Sequence, residues 1–117
     1  MTVSTEKQAC PLADKECVEC KGGVAPLKGE ELCRLAGQLE GWQVVEEHHL
    51  AKDFKFADFA RTLDFVNRVG ALAEKEGHHP WIHFTWGKAK IEIWTHKIDG
   101  LCESDFILAA KIDRAME

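Results

Sequence analysis

The chain has no apolar run approaching the ~18 residues that would suggest a membrane span, and its first residues carry no signal-peptide pattern. A soluble, cytoplasmic protein with no membrane partner is therefore expected. An excess of positive charge is also missing: 15 Lys and Arg stand against 20 Asp and Glu, a formal net charge of −5, and no basic stripe is present to neutralise phosphates. Nucleic acid is not an expected partner. The five cysteines, an odd number, supply no tidy disulfide framework, and in a reducing compartment all five are expected to be thiols. With 117 residues, 45% hydrophobic and 30% charged, the chain can build one modest core, so one folded domain is expected.

What the chain does have is histidine in a telling arrangement. His78 and His79 lie in Gly-His-His-Pro, and His96 lies in Trp-Thr-His. Imidazole, with an ordinary pKa of ~6.5, takes and gives protons near neutral pH, so several histidines on one patch point to proton-transfer chemistry. The run Trp81 to Trp86 alternates, with Ile82, Phe84 and Trp86 on one face, and Ala89, Ile91 and Ile93 keep the same parity. A two-residue Gly87-Lys88 loop of type II′ between the runs predicts a hairpin. In that register Phe84 faces Ile91 and Ile82 faces Ile93 on the core side. On the other side Thr85 faces Lys90, His83 faces Glu92, Trp81 faces Trp94 and His79 faces His96. Directly opposed residues have Cβ atoms roughly 4.5–5.5 Å apart, so two distant histidines become neighbours beside a tryptophan pair. The same register puts His78 on the opposite strand face unless the backbone before Pro80 is irregular. His48, His49 and His83 read as surface or hydrogen-bonded strand residues.

Residues 1–26 read as a separate, irregular arm, broken by Cys10, Pro11, Cys17, Cys20, Gly22, Gly23 and Pro26 and offering little apolar surface. Cys17-Val-Glu-Cys20 has metal or redox spacing, but only Cys10 and Cys33 are near enough in sequence to complete a four-ligand zinc site, and no strand precedes it as a thioredoxin-type motif requires. Residues 27–117 then carry a regular series. A helix is predicted over Leu27–Leu39, with Leu32, Leu35, Ala36 and Leu39 on one face. Strands follow over Trp42–Glu47 and His49–Phe56. The longest helix spans Ala57–Glu76 on a stripe of Phe59, Leu63, Val66, Val69 or Gly70, and Ala73, widened by Phe65 and Leu72, and Gly77 closes it. Pro80 holds His79 extended, and a last helix capped by Ser104 carries Phe106, Ile107, Ala110 and Ile112, with Asp105 in its first turn. The predicted fold is α+β: two layers, a four-stranded antiparallel sheet with helices packed on one face, in the order α-β-β-α-β-β-α. The open face, with Trp81, Trp94 and the histidines, is large for a monomer and calls for a ligand or a second subunit to cover it.

The spacing carries a resemblance. Glu74 stands four residues before His78-His79-Pro80, Trp86 six after the proline, His96 ten further on and Asp105 nine beyond that, among Gly41-Trp42, Phe54-Lys-Phe56-Ala-Asp-Phe59, Asn67-Arg-Val69 and Asp105-Phe106 to Lys111-Ile112. Over roughly residues 27–115 the chain resembles the pterin-4a-carbinolamine dehydratases. The resemblance implies loss of the 4a-hydroxyl from a 4a-hydroxytetrahydropterin to give the quinonoid dihydropterin, with no metal and no organic cofactor. It implies a pterin substrate made by an aromatic amino-acid hydroxylase, and a homodimer or homotetramer. By the same correspondence His78, His79 and His96 are catalytic. Gly77, His78, His79, Pro80, Trp94, Thr95, His96 and Lys97 would line the pterin site, with Asp105 orienting a histidine or contacting the ring. Gly77 and Trp81 stand where the family often has acidic or amide side chains. Three rival readings are a pterin-binding protein without activity, a dehydratase in molybdopterin metabolism, and a zinc-binding module built on the three histidines.

Overall fold

A computed structural model describes residues 11–15, 17 and 24–116. Three helices and four strands alternate as predicted: α1 (Gly29–Ala36), β1 (Gln43–Val45), β2 (His49–Lys55), α2 (Phe59–Glu76), β3 (Trp81–Thr85), β4 (Lys88–Ile93) and α3 (Glu103–Ala115). All strands are antiparallel in the order β1-β2-β4-β3, so β4 is central and β3 is an edge. Leu50 and Phe54 of β2 and Ala89, Ile91 and Ile93 of β4 are buried with Phe65 and Val69 of α2 and Phe106, Leu108 and Ile112 of α3 in one core. The helices therefore cover one sheet face, the α+β architecture the residue pattern predicts.

Helix ends follow local hydrogen bonding more closely than apolar period. α2 starts at Phe59 rather than Ala57 because the Asp58 side chain accepts from the Arg61 N–H at 2.9 Å, a capping bond that fixes the first turn. At its other end Gly77 has φ 68°, the left-handed conformation expected of the residue that stops a helix. α3 is capped at Cys102, not at Ser104, because Asp105 reaches back to accept from the Cys102 N–H at 2.9 Å.

The hairpin register is corrected by two residues. Trp81 pairs with Glu92, Ile82 with Ile91, His83 with Lys90, Phe84 with Ala89 and Thr85 with Lys88, so the loop is Trp86-Gly87 rather than Gly87-Lys88. The faces are unchanged, since side chains alternate with period two, but each partner moves. Two contacts pin the loop there: the Thr62 hydroxyl donates to the Trp86 carbonyl at 2.9 Å, and the Phe56 N–H to the Gly87 carbonyl at 2.8 Å. Gly87 suits the close approach, because a Cβ there would stand 3.0 Å from the Phe56 carbonyl oxygen. Trp81 and Trp94, expected directly opposite, are instead diagonal neighbours whose rings still stack at 6.0 Å and 5°.

The described part of the arm, from Pro11, carries a turn and docks on the domain. Pro11–Asp14 form a 3-10 turn whose Leu12 is only 1% exposed, a burial worth about 1.5–3 kcal/mol. Asp14 pairs with Arg114 at 2.9 Å and Lys15 with Glu103 at 2.7 Å, both on α3. Cys17 and Cys33 are free thiols, whereas Cys102 is disulfide-bonded, so the expectation of thiols throughout does not hold. Cys10 and Cys20, two of the candidate zinc ligands, lie outside the described residues. Among the described residues no three His, Cys, Asp or Glu side chains are placed to hold a metal ion, and no helix is long and apolar enough to cross a membrane.

One further glycine fixes the loop that carries His96. Thr95 and Gly100 bridge one another, the Thr95 N–H donating to the Gly100 carbonyl at 2.8 Å, and a Cβ on Gly100 would stand 2.6 Å from Pro26 Cβ. Gly100→Ala is therefore expected to destabilise the fold by about 1–3 kcal/mol, read as a lowered midpoint in thermal unfolding.

Candidate active site

α2 ends at Glu76, Gly77 turns the chain, and His78 N–H donates back to the Ala73 carbonyl at 3.2 Å. That irregular step, ahead of the strand beginning at Trp81, frees His78 from strict strand alternation. Its Nε2 meets Asp105 Oδ1 at 2.6 Å. Asp105 is completely buried, and its other oxygen accepts from the Thr95 hydroxyl and the Cys102 N–H, both at 2.9 Å. The carboxylate is thus saturated and rigid, and it fixes the orientation and tautomer of the His78 ring. His79 Nε2 meets Glu74 Oε2 at 2.8 Å at the surface. His96 opens a 3-10 turn, His96–Ile98, with its ring 4.7 Å from the Trp94 ring. Among the described residues no protein group hydrogen-bonds the His96 ring.

These segments enclose a cleft of about 630 Å³ lined by Gly77, His78, His79, Trp94, Thr95, His96 and Lys97, together with Cys17, Glu76 and Ser104. The cleft thus gathers the three histidines, although His79 and His96 are not cross-strand partners. Of the two roles expected for Asp105, the geometry has it orienting a histidine, His78, rather than reaching the cleft surface, and Pro80 is outside the lining. His48, His49 and His83 are hydrogen-bonded side chains of the β1–β2 turn and the sheet. His48 Nδ1 lies 3.0 Å from His49 Nδ1, His48 Nε2 meets Asp99 at 2.8 Å, and His83 meets Glu92 at 3.0 Å. His48 and His49 also pack on the Trp94 ring, at 5.2 and 5.7 Å.

The residues that sequence reasoning missed are Cys17, Glu76 and Ser104. Glu76 was within reach, since it directly precedes the helix-ending glycine; Cys17 arrives only because Leu12 buries the arm, which no periodicity reports. The Cys17 N–H bond to Glu76, at 3.0 Å, holds that carboxyl below the usual carboxylate range against the opposing effect of burial, with Lys111 assisting. Burial, and then the Glu76 charge, push the Cys17 thiol up to about 12. At pH 8 Cys17 is accordingly expected to react with iodoacetamide on the order of 10³ times more slowly than a thiol of ordinary acidity, because the thiolate is the nucleophile. Mass spectrometry of peptides after timed labelling would check this, with exposed Cys33 labelled first.

Comparison with known proteins agrees with the geometry. Residues 25–115 match the profile of the family described as pterin 4 alpha carbinolamine dehydratase. A Rubrobacter xylanophilus protein provisionally named pterin-4-alpha-carbinolamine dehydratase is 68% identical over 103 residues, covering 88% of this chain and 96% of that protein. A Rickettsia bellii protein of the same provisional name is 54% identical over 105 residues, covering 89% and 93%. Among solved structures, the transcriptional coactivator/pterin dehydratase of Brucella melitensis superposes with a TM-score of 0.72 at 29% identity, covering 76% of this chain and 96% of that one. A pterin dehydratase-like protein identified as a RuBisCO assembly factor in the alpha-carboxysome superposes at 0.53 and 28% identity, covering 62% and 83%. By its match to the family profile over residues 25–115, its identity to these relatives and its fold, the chain belongs to the pterin 4 alpha carbinolamine dehydratase family.

Proposed function

We propose that this protein is a 4a-hydroxytetrahydropterin dehydratase that works in pterin recycling after aromatic amino-acid hydroxylation, with His78, His79 and His96 as its proton-transfer groups. The observation that carries the reading is the meeting of three imidazoles from two separate segments on one cleft beside the flat ring of Trp94. In the reaction an imidazolium protonates the 4a-hydroxyl, the C4a–O bond breaks and water leaves. The N5 lone pair then forms the N5=C4a bond, and a neutral imidazole takes the proton from N5. The step is redox-neutral, water is the only co-product, and it calls on no cofactor. Each positioned proton transfer supplies typically ~10²–10⁴-fold. Trp94 offers a stacking wall for the bicyclic ring, with Gly77 to His79 and Thr95 to Lys97 around it.

The protein is proposed to act in the cytoplasm as a homodimer or homotetramer. Phe59, Leu63, Phe84 and Trp86 are exposed together, and Phe59 stacks on Phe84 of the edge strand β3 at 6.2 Å, an apolar patch suited to self-association. One structural relative is a RuBisCO assembly factor, so a binding role is the rival reading. Carboxylates on His78 and His79, with the His96 ring nitrogens unbonded among the described residues and left to a ligand, support chemistry. Stopped-flow ultraviolet absorbance of a 4a-hydroxytetrahydropterin decides between them: the decay should accelerate in proportion to protein concentration. Decay at the spontaneous rate in saturating protein would leave only a binding protein.

A further inference from the structure

Cys17 bonds to the chain beside each half of the His78–Asp105 pair. Its N–H donates to Glu76 Oε1 at 3.0 Å, two residues before His78, and its thiol makes a longer contact, 3.7 Å, to the carbonyl of Ser104, the neighbour of Asp105. Lys111 of α3 spans the same seam, its Nζ 3.5 Å from Glu76 Oε2. The Glu76 side chain is only 7% exposed, and a charged group is rarely kept so deep unless it is paired. The arm that delivers Cys17 is anchored by Leu12 and by the ion pairs of Asp14 and Lys15, and it lies outside the residues that match the family profile.

Between Glu76 and His78 stands Gly77 in the left-handed conformation, the residue with the least resistance to backbone rotation. A histidine hung from such a joint needs fixing on the near side if its ring is to stay registered with a carboxylate on another helix. Cys17 and Lys111 supply that fixing, one from the arm and one from α3.

We propose that the arm segment ending at Cys17 is a brace for the active site, in which Cys17 and Glu76 are positioning residues that hold the end of α2 against the start of α3 and so set the His78–Asp105 contact. The kinetic side of this inference rests on the dehydratase reading; the geometric side does not.

Four variants of the full chain separate the bond from the charge. Glu76→Ala removes the acceptor and Cys17→Pro removes the N–H donor together with the thiol, whereas Glu76→Gln keeps an oxygen for that donor and Cys17→Ala, which also lacks the thiol, keeps the donor itself. Misplacing a catalytic group by ~1 Å can cost ~10²-fold, so partial loosening should lower kcat about tenfold in Glu76→Ala and Cys17→Pro, with KM within about twofold. Glu76→Gln and Cys17→Ala should stay within about threefold of the native rate. The ring signals of His78 in a histidine-edited NMR spectrum should shift in the first two variants and not in the second two. Native ring signals and native kcat in both Glu76→Ala and Cys17→Pro overturn the brace, as does a Glu76→Gln variant that loses as much as Glu76→Ala. Should Glu76→Ala fail to fold, Cys17→Pro decides, since it leaves the Glu76–Lys111 pair in place. A native protein without dehydratase activity would overturn the functional reading, and the His78 signals would still decide the brace.

Discussion

Replacing His96 or His79 with alanine is expected to slow dehydration by at least ~10², the usual size of a lost acid–base contribution. The expectation is strongest for His96, whose ring packs on Trp94 with its nitrogens uncommitted to any described protein group and therefore available to the pterin. His79 is 60% exposed and shares one hydrogen bond with Glu74, so its removal should leave thermal stability within about 0.5 kcal/mol, and a lower rate cannot then be ascribed to unfolding. For both variants the loss belongs in kcat and kcat/KM together, because the proton moves only as the C4a–O bond breaks. His83→Ala is the matched control: also exposed, also paired to a carboxylate, but outside the cleft. It should keep the native rate. Equal rates in native protein, His79→Ala and His96→Ala, by stopped-flow absorbance, would remove these imidazoles from the chemistry.

The parts of this molecule legible in its sequence are those set by period and spacing. Alternation at Ala89, Ile91 and Ile93, with Ile82 opposite, identified the hairpin and the buried face of β4, whereas Phe84 and Trp86, expected on the core side, are exposed on the edge strand and its loop; the glycine after Glu76 marked where α2 delivers the histidines. The register was misread because Gly87-Lys88 suits a two-residue loop as local chemistry, while the Thr62 hydroxyl and the Phe56 N–H, both distant in sequence, place the turn one residue earlier. An error of two residues preserves faces, so Trp81 still meets Trp94 and the histidines still share a cleft. Asp105 was seen as a first-turn carboxylate of α3 and is that; the same oxygens also bind His78 and Thr95, a double use that capping statistics do not contain. The arm was illegible for a different reason. Leu12 and the adjacent Ala13 dock it, with ion pairs from Asp14 and Lys15, and two neighbouring buried side chains make no period.

Asp105 should separate stability from catalysis. Asp105→Ala strands the Thr95 hydroxyl and the Cys102 N–H at a fully buried position and takes the partner from the His78 ring, and breaking a buried, hydrogen-bonded carboxylate pair costs about 3–5 kcal/mol. For a domain of this size that lowers the unfolding midpoint by roughly 4–8 °C per kcal/mol, so this variant is expected to be partly unfolded near physiological temperature. Asp105→Asn behaves differently. Its carbonyl oxygen can still accept from Thr95 and Cys102, which keeps the cap of α3, but its amide then points N–H groups at His78 Nε2. The ring must turn that nitrogen into an acceptor, which moves its proton to Nδ1 and exchanges the atom presented to substrate. Activity should therefore fall by ~10² or more in Asp105→Asn, while stability falls by only about 1–2 kcal/mol. Thermal unfolding and stopped-flow rates on the same preparations test the pair. An asparagine variant as unstable as the alanine variant would reduce Asp105 to a structural cap. One with native turnover would show that the tautomer of His78 has no part in expelling water from the pterin.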